Sequence, residues 1–216
     1  MQKWSLSLAR KLHQEINDCC IRYGHCNVML TGGQSARTLY KHLGKFMTAS
    51  SAVKDIRLYF GDERCVDPDH KESNFRAARE ALFRSSTVPP TITINRIHGE
   101  AKCADAEASR YERGLPERID LLLLSVGEDG HIASLFPKSS ALFEKEKRIV
   151  AVVNPRLAHN RISITPRVIA EAQRVFVMAT TPLKKAIYAD IQLGHTTVWN
   201  TPAVLAKNGI WIFGDD

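Results

Sequence analysis

The chain has 216 residues, a length that suits one α/β domain and allows a sizeable core without disulfides or metals. Hydrophobic residues make up 44% and charged residues 25%, which argues against a disordered or fibrous chain. The formal net charge is +7, but the basic residues alternate with acids and form no arginine-rich block. This distribution favours a small phosphorylated substrate over a nucleic acid.

The sequence predicts a cytoplasmic protein without a membrane anchor. Its apolar runs are too short to span a bilayer. The first 16 residues lack the continuous apolar stretch and the small-residue cleavage site of a signal peptide. The odd number of cysteines and the lack of zinc-site spacing predict reduced thiols and no metal. These cysteines are Cys19, Cys20, Cys26, Cys65 and Cys103.

Hydrophobic periodicity predicts an alternation of helices and strands. Apolar residues at helical spacing from Leu8 to Ile16 indicate an N-terminal helix that ends before Gly24. A strand over 27–31 leads into a helix for which Gly44 is a plausible end. Further strands are predicted at 56–60, 92–97, 121–126, 149–153, 161–165, 174–180 and 209–213.

Helices are expected between these strands. One starts near Ser73, which we expect to cap it, and another lies around 101–113. Thr165-Pro166 and Thr181-Pro182 each place a capping hydroxyl before a proline that suits the first helical turn. The leucine run at 121–124 is typical of a central strand that is buried on both faces. The pattern predicts a single doubly wound, mostly parallel, Rossmann-like α/β domain over 1–216.

Three polar loops follow predicted strands, where ligands of such sheets bind. TGGQS (31–35) joins a strand to a helix, so its glycines let backbone N–H groups approach an anion. Ser35 could contact a phosphate there or cap the helix. In GDER (61–64), the planar guanidinium of Arg64 suits a phosphate or sugar oxygen, although solvated charge is the alternative.

The third loop, GEDGH (127–131), follows the central strand and carries a candidate general base. His131 can accept a proton near neutral pH, and Asp129 could fix its tautomer. A loop hydrogen bond is the alternative, but the position at the end of a central strand favours catalysis. Water is the expected nucleophile, since the chain has no GxSxG motif. Arg161 and Lys184 are candidate anion ligands or ordinary surface charges.

Four segments of the chain resemble the 6-phosphogluconolactonase family, in the family's order. They are VMLTGGQSARTLY (28–40), YFGDERCVDPDHKESNF (59–75), LLLLSVGEDGHIASLFP (121–137) and RISIT (161–165). The third is similar to the family signature GxGxDGHxASLFP at nearly every residue. The resemblance implies metal-free hydrolysis of 6-phosphogluconolactone to 6-phosphogluconate in the oxidative pentose phosphate pathway, without a cofactor. It also implies the fold of glucosamine-6-phosphate deaminases and ribose-5-phosphate isomerases, and we expect a monomer or weak homodimer.

Carried over by position, the resemblance implies His131 as the base, with Asp129 beside it. The substrate and phosphate ligands that it implies are Gly32, Gly33, Gln34, Ser35, Asp62, Arg64, Arg161 and Lys184. The sequence departs from the family pattern at Gln34 in the first loop. It also has Thr181 where a glycine usually precedes the family lysine by three, which makes Lys185 an alternative to Lys184. A third departure is Val204, which stands at a serine position.

Two other functions fit parts of this pattern. A glucosamine-6-phosphate deaminase would share the phosphate loop, Asp62 and DGH, but its motif continues as FNEP and supplies a glutamate. This chain continues as SLFP, with Phe136 in place of that acid. A non-catalytic sugar-phosphate sensor would normally carry a helix-turn-helix segment, for which the residues before the first strand are too few.

Overall fold

The computed structural model of the protein describes residues 3–49, 55–83, 87–154 and 157–215, and the statements below concern these residues. The strands are β1 (Cys26–Leu30), β2 (Ile56–Phe60), β3 (Asp62–Arg64), β4 (Ile92–Ile94), β5 (Leu121–Ser125), β6 (Ile149–Val152), β7 (Arg161–Ile164), β8 (Arg174–Ala179) and β9 (Ile210–Phe213). The α-helices are α1 (Lys3–Tyr23), α2 (Gln34–Ala49), α3 (Asn74–Phe83), α4 (Ala104–Arg113), α5 (Pro166–Glu171) and α6 (Pro182–Leu193). Short 3₁₀ helices lie at Ser140–Phe143 and Pro202–Ala206.

Six strands form a parallel sheet in the order β4-β2-β1-β5-β8-β9. The leucines of β5 are fully buried in the middle of this sheet, between β1 and β8. Such burial on both faces is what a parallel sheet covered by helices requires, because the crossover helices pack on its two sides. The predicted α/β class, the parallel sheet and the central position of 121–125 are confirmed.

Three strands form a separate antiparallel sheet in the order β3-β7-β6. Part of GDER, predicted as a polar loop, is strand β3 and pairs with β7. The predicted strands over 149–153 and 161–165 exist, but they pair with each other rather than joining the parallel sheet. Strand β3 of this sheet follows β2 after a single residue, so Asp62–Arg64 lie next to the carboxyl end of the parallel sheet.

The predicted helix end at Gly44 is wrong. Helix α2 continues to Ala49, and a Cβ atom at Gly44 would lie 2.0 Å from the Leu82 carbonyl oxygen in α3. The glycine therefore lets two helix backbones approach closely rather than ending one of them.

The helix starts follow the sequence prediction with one correction. Ser73 accepts a hydrogen bond from the Arg76 amide at 3.1 Å and so caps α3. Thr181 accepts one from the Lys184 amide at 3.5 Å. Thr165 does not cap α5; its hydroxyl instead donates to the Lys147 carbonyl oxygen at 2.7 Å. That bond ties the start of α5 to the chain before β6.

None of the described helices has both the length and the apolar character that crossing a bilayer would require. The buried apolar residues of α1, α2 and the parallel sheet belong to one hydrophobic cluster, which also includes Ile162 and Ile164 of β7. The two sheets therefore share a core, and the loops between them are held on a common framework.

Candidate active site

The candidate site lies at one edge of the parallel sheet. The segments that follow β2, β1 and β5 contain GDER, TGGQS and GEDGH, and these three strands are neighbours in that order. Because parallel strands all end at the same edge, the three segments emerge side by side. The sequence prediction of their placement is therefore confirmed by the topology.

The turn after β5 holds His131 against Asp129. The His131 Nδ1 atom lies 2.5 Å from the Asp129 carboxylate, which also accepts the His131 amide at 3.1 Å. Burial raises the pKa of the Asp129 carboxyl, but the hydrogen bond and charge of His131 outweigh this and hold the pKa below its usual value. A carboxylate can only accept, so Nδ1 is the donor, and in the neutral form of the imidazole Nε2 then holds the lone pair.

Two glycines make this turn possible. A Cβ atom on Gly127 would lie 2.1 Å from His131 Nδ1, so the imidazole ring packs directly against the Gly127 backbone. Gly130 has φ of +82°, and its carbonyl oxygen accepts the Ala203 amide at 2.9 Å. The Phe136 ring also packs against the imidazole, with ring centroids 4.9 Å apart. The ring is thus fixed in place although His131 is partly exposed.

Asp62 forms hydrogen bonds that connect separate elements of the candidate site. Its carboxylate accepts the Ser134 hydroxyl at 2.7 Å and the Asn74 side-chain amide at 3.1 Å, and the residue is buried. The Ser134 amide in turn donates to the Ser163 hydroxyl of β7 at 3.1 Å. Asn74 also reaches the first loop, since a Cβ on Gly32 would meet its Oδ1 atom at 2.1 Å. Asp62 therefore holds the loops together.

Glu63 is used in a similar way at the start of α3. Its buried carboxylate accepts the amides of Asn74 and Phe75 at 2.7 and 2.8 Å and the Ser73 hydroxyl at 3.1 Å. An acid that satisfies the first amides of a helix also complements the positive end of the helix dipole. Both acids of GDER are thus occupied by protein groups.

The arginine of GDER has a different environment. Arg64 lies directly opposite Arg161 in the β3–β7 pair, so two like charges face each other. Arg64 donates to the Glu72 carbonyl oxygen and Arg161 to the His159 carbonyl oxygen, both at 2.5 Å. Burial, followed by the charge of Arg64, lowers the pKa of Arg161.

Neither guanidinium forms a salt bridge among the described residues. In addition, the buried Nε atom of Arg64 has no hydrogen-bond partner among the residues that the structure describes. We call Arg64 and Arg161 the arginine pair. It offers N–H donors and two adjacent positive charges, which is what an anionic group requires.

The first loop presents backbone donors at the start of α2. Gly33 has φ of +94°, which a side chain would disfavour, and helix α2 begins at the following residue. The first amides of a helix have no partner within it and attract anions. The Gln34 side chain is exposed, while the buried Ser35 hydroxyl lies 2.6 Å from the Thr180 hydroxyl. Ser35 therefore also links this loop to the end of β8.

Lys184 lies in the first turn of α6, which follows β8. Burial lowers its pKa, and the nearby Glu128 of the GEDGH loop acts in the opposite direction. The side chain is half-buried, so its ammonium group lies in a partly desolvated position near the GEDGH loop. The neighbouring Lys185 already has an interaction within the protein.

Several residues that support the site were not predicted as such from the sequence. Ser134, Ser163, Thr180 and Thr201 connect its loops through hydroxyl hydrogen bonds or close packing. The first three follow or lie within predicted strands or motifs, but a serine or threonine alone gives no sign of its partner. Only Asn74 had such a sign, because it belongs to the SN dipeptide of the second resembling segment.

Comparison with known proteins agrees with this architecture. Residues 1–211 match the family of glucosamine-6-phosphate isomerases/6-phosphogluconolactonase. The chain is 33% identical to a 6-phosphogluconolactonase of Haemophilus influenzae, over 85% of this chain and 82% of that protein. It is 31% identical to a 6-phosphogluconolactonase of Aggregatibacter actinomycetemcomitans, over 88% and 85%. The crystal structure of a 6-phosphogluconolactonase from Shewanella baltica superposes with a TM-score of 0.82, at 22% identity, over 97% of this chain and 91% of that one.

The fold is that of a Rossmann-like α/β enzyme, and its candidate site lies at the carboxyl edge of the parallel sheet. The chain belongs to the glucosamine-6-phosphate isomerase/6-phosphogluconolactonase family. The family and the enzyme assignment predicted from the sequence are confirmed.

Proposed function

We propose that the protein hydrolyses 6-phospho-D-glucono-1,5-lactone to 6-phosphogluconate, with His131 as the general base. The observation that carries this proposal is the 2.5 Å contact between His131 Nδ1 and the Asp129 carboxylate at the end of the central strand. It leaves Nε2 as the basic atom and points to proton transfer. The reaction belongs to the oxidative pentose phosphate pathway, and we expect it to need no metal, to take place in the cytoplasm and to use residues 1–216 as one domain.

The chemical steps follow from this tautomer. His131 Nε2 takes a proton from water while the water oxygen attacks the lactone carbonyl carbon. The imidazolium that forms is stabilised by the ionised Asp129. Cations or N–H groups of the site stabilise the oxyanion of the tetrahedral intermediate. The bond between the carbonyl carbon and the ring oxygen then breaks, and His131 returns its proton to that oxygen as it becomes a hydroxyl group.

The substrate phosphate would bind to the cationic side of the site. The arginine pair supplies charge without a carboxylate partner, and the amides from Gly32 to Ser35 supply donors at a helix start. Lys184 adds a further cation. Binding a dianion here would relieve the repulsion between Arg64 and Arg161, so phosphate affinity would come partly from the unfavourable charge of the free protein.

The structure gives no support for the deaminase alternative. Phe136, which replaces the FNEP glutamate, packs on the His131 ring and is buried. A glutamate at position 136 would have to carry its charge in a buried position, which disfavours the ionised carboxylate. This position therefore supplies no carboxylate to the site of this chain.

The proposal is tested by lactone hydrolysis with the wild type and His131→Ala. Oxidising glucose 6-phosphate in situ supplies the lactone, and its disappearance is followed above the spontaneous rate with EDTA present. We expect the variant to lose turnover by about 10²- to 10⁴-fold, since that is the usual contribution of a general base. Its affinity for 6-phosphogluconate should change little, because the phosphate is held elsewhere.

His195→Ala is the matched control, because this histidine is exposed near the end of α6 and outside the site. It should behave as the wild type. Retained turnover in a folded His131→Ala protein would contradict the assignment of the base. A folded wild type that does not accelerate hydrolysis would contradict the function itself, and ammonia release from glucosamine 6-phosphate would be measured next.

A further inference from the structure

A second cluster of reactive side chains lies at the opposite edge of the parallel sheet. Cys19 is near the end of α1, Cys26 begins β1, and Asp120 directly precedes β5. One sulfur or oxygen atom from each of these residues lies within 4.8 Å of the others. We call these three residues the Cys-Asp cluster. The mechanism proposed above uses none of them, since its groups lie where β1 and β5 end.

The dimensions of the Cys-Asp cluster suit a thiophilic divalent cation. In a tetrahedral zinc site with Zn–S bonds of about 2.3 Å, neighbouring ligand atoms are about 3.8 Å apart. The three ligand atoms therefore need to move by roughly 1 Å or less to reach this arrangement. Two sulfur ligands select zinc or cadmium over magnesium or calcium, which prefer sites made of oxygen alone.

The carboxylate is already oriented by its neighbours. One Asp120 oxygen accepts the Arg118 Nε–H at 2.6 Å, and the other accepts the Asn27 amide at 2.8 Å. Each oxygen retains a lone pair after one hydrogen bond, so both remain able to bind a metal. Outer hydrogen bonds of this kind typically fix the ligands of metal sites.

The cluster can be reached from solvent. Cys19 and Asp120 line a surface cleft of about 420 Å³ that is formed by the end of α1 and the amino ends of β5 and β8. Three arginines and three carboxylates line it, so the cleft carries no excess positive charge that would repel a cation. These charged residues are Arg22, Arg118, Arg174, Glu15, Asp18 and Asp120. A water molecule from the cleft can supply the fourth ligand.

We propose that the Cys-Asp cluster is a binding site for a thiophilic divalent cation such as Zn²⁺, held by Cys19 Sγ, Cys26 Sγ and an Asp120 oxygen. A cysteine binds a metal ion as its thiolate, so each thiol has to lose its proton when the ion binds. Metal binding forms two metal–sulfur bonds and releases one proton from each thiol to the solvent. The bound ion connects α1 to β1 and β5, so it stabilises the fold rather than taking part in hydrolysis.

The test is a titration of the reduced protein with Cd²⁺, whose bonds to thiolates give an ultraviolet charge-transfer band. The experiment uses full-length protein carrying Cys103→Ser, which removes an exposed thiol outside the cluster. We expect one Cd²⁺ per chain, release of about two protons, and competition by Zn²⁺. At a free Zn²⁺ concentration of about 100 times Kd, the melting temperature should rise by roughly 5 to 10 °C.

The adjacent residues Cys19 and Cys20 allow a matched comparison. Both are buried on α1, but only Cys19 belongs to the cluster. Cys20→Ser should bind Cd²⁺ as the parent does, whereas Cys19→Ser should lose at least about 10-fold in affinity and half of the charge-transfer band. Lactone hydrolysis reports the fold of each variant independently of the metal, because the active site lies at the other edge of the sheet.

Three results would overturn the proposal. The first is the absence of saturable one-to-one Cd²⁺ binding to folded, reduced protein. The second is equal Cd²⁺ affinity of the parent and a folded Cys19→Ser variant. The third is a parent that forms a Cys19–Cys26 disulfide in air and binds no Cd²⁺ after reduction, which would make the pair a redox site instead.

Discussion

Replacing Gly127 with alanine tests how closely the proposed activity depends on the position of the His131 ring. The new methyl group would lie 2.1 Å from His131 Nδ1, 2.2 Å from Cε1 and 2.8 Å from the Asp129 Oδ1 atom. Ordinary contacts begin at 3.4 Å, so the ring must move by about 1.3 Å, and the Asp129 carboxylate that orients it must also shift. The backbone itself is not strained, because Gly127 does not have a positive φ.

A displacement of about 1 Å at a catalytic group typically lowers the rate by about 100-fold. We therefore expect kcat of Gly127→Ala to fall by roughly 100-fold, which corresponds to about 2.7 kcal/mol of transition-state stabilisation. The KM and the affinity for 6-phosphogluconate should remain near wild-type values, since the phosphate ligands lie on other loops. Lactone hydrolysis gives the rate, and calorimetric titration gives the affinity.

Gly114→Ala is the matched control for this substitution. Gly114 follows α4 with φ of −90°, and a Cβ atom there would make an ordinary contact at 3.5 Å with the Tyr111 carbonyl oxygen. This variant should keep wild-type kcat and stability. A folded Gly127→Ala protein with wild-type kcat would refute the reasoning, because it would show that the His131 ring position does not limit turnover.

Three further predictions concern substrate binding, pH and stability. Arg161→Ala should raise KM by about 10- to 100-fold with a smaller effect on kcat, because a hydrogen bond to a charged group contributes about 1.5–3 kcal/mol. An unchanged KM would count against phosphate binding by this residue. In the wild type, the affinity for 6-phosphogluconate should fall as pH rises towards the lowered pKa of Lys184, because the ammonium group then loses its charge while the phosphate remains a dianion. Titration calorimetry between neutral and alkaline pH should show this fall in the wild type and its reduction in Lys184→Arg; identical pH dependences would contradict it. Gly44→Ala should lower the free energy of unfolding by about 1–3 kcal/mol, because the new methyl group would clash with the Leu82 carbonyl oxygen. Without such a clash, alanine in place of glycine usually stabilises a helix interior by up to about 1 kcal/mol. Increased stability in urea unfolding would therefore contradict the close approach of the two helices.

The sequence predicts the parallel sheet well because its signals are local. The leucine run of β5 needs burial on both faces, and the alternation of strands with helices dictates parallel connections. The antiparallel sheet was not predicted, since the pairing of β3 with β7 joins residues that are about 100 positions apart in the chain. Gly44 was misinterpreted for a similar reason: the need for a glycine comes from α3, and nothing near Gly44 in the sequence records it.

In the candidate site, too, local contacts are predictable from the sequence, whereas contacts between distant segments are not. The contact between His131 and Asp129 is predictable, because it spans two residues in one turn. The contact of Ser134 with Asp62 spans 72 positions, and only the folded chain reveals it. Sequence patterns therefore locate the groups that could react, while the groups that hold them are found from the packing of distant segments.

The GDER segment shows why this difference matters for function. As a sequence it reads as a mixed cluster of charges in which the acids and the arginine could neutralise each other. In the folded protein, Asp62 is engaged by Ser134 and Asn74, and Glu63 caps α3. Neither acid forms a salt bridge with Arg64 among the described residues, and Arg64 faces the like charge of Arg161. The fold thus uses the two carboxylates of this segment to hold other elements and places its guanidinium beside a second one, where a bound phosphate could contact both.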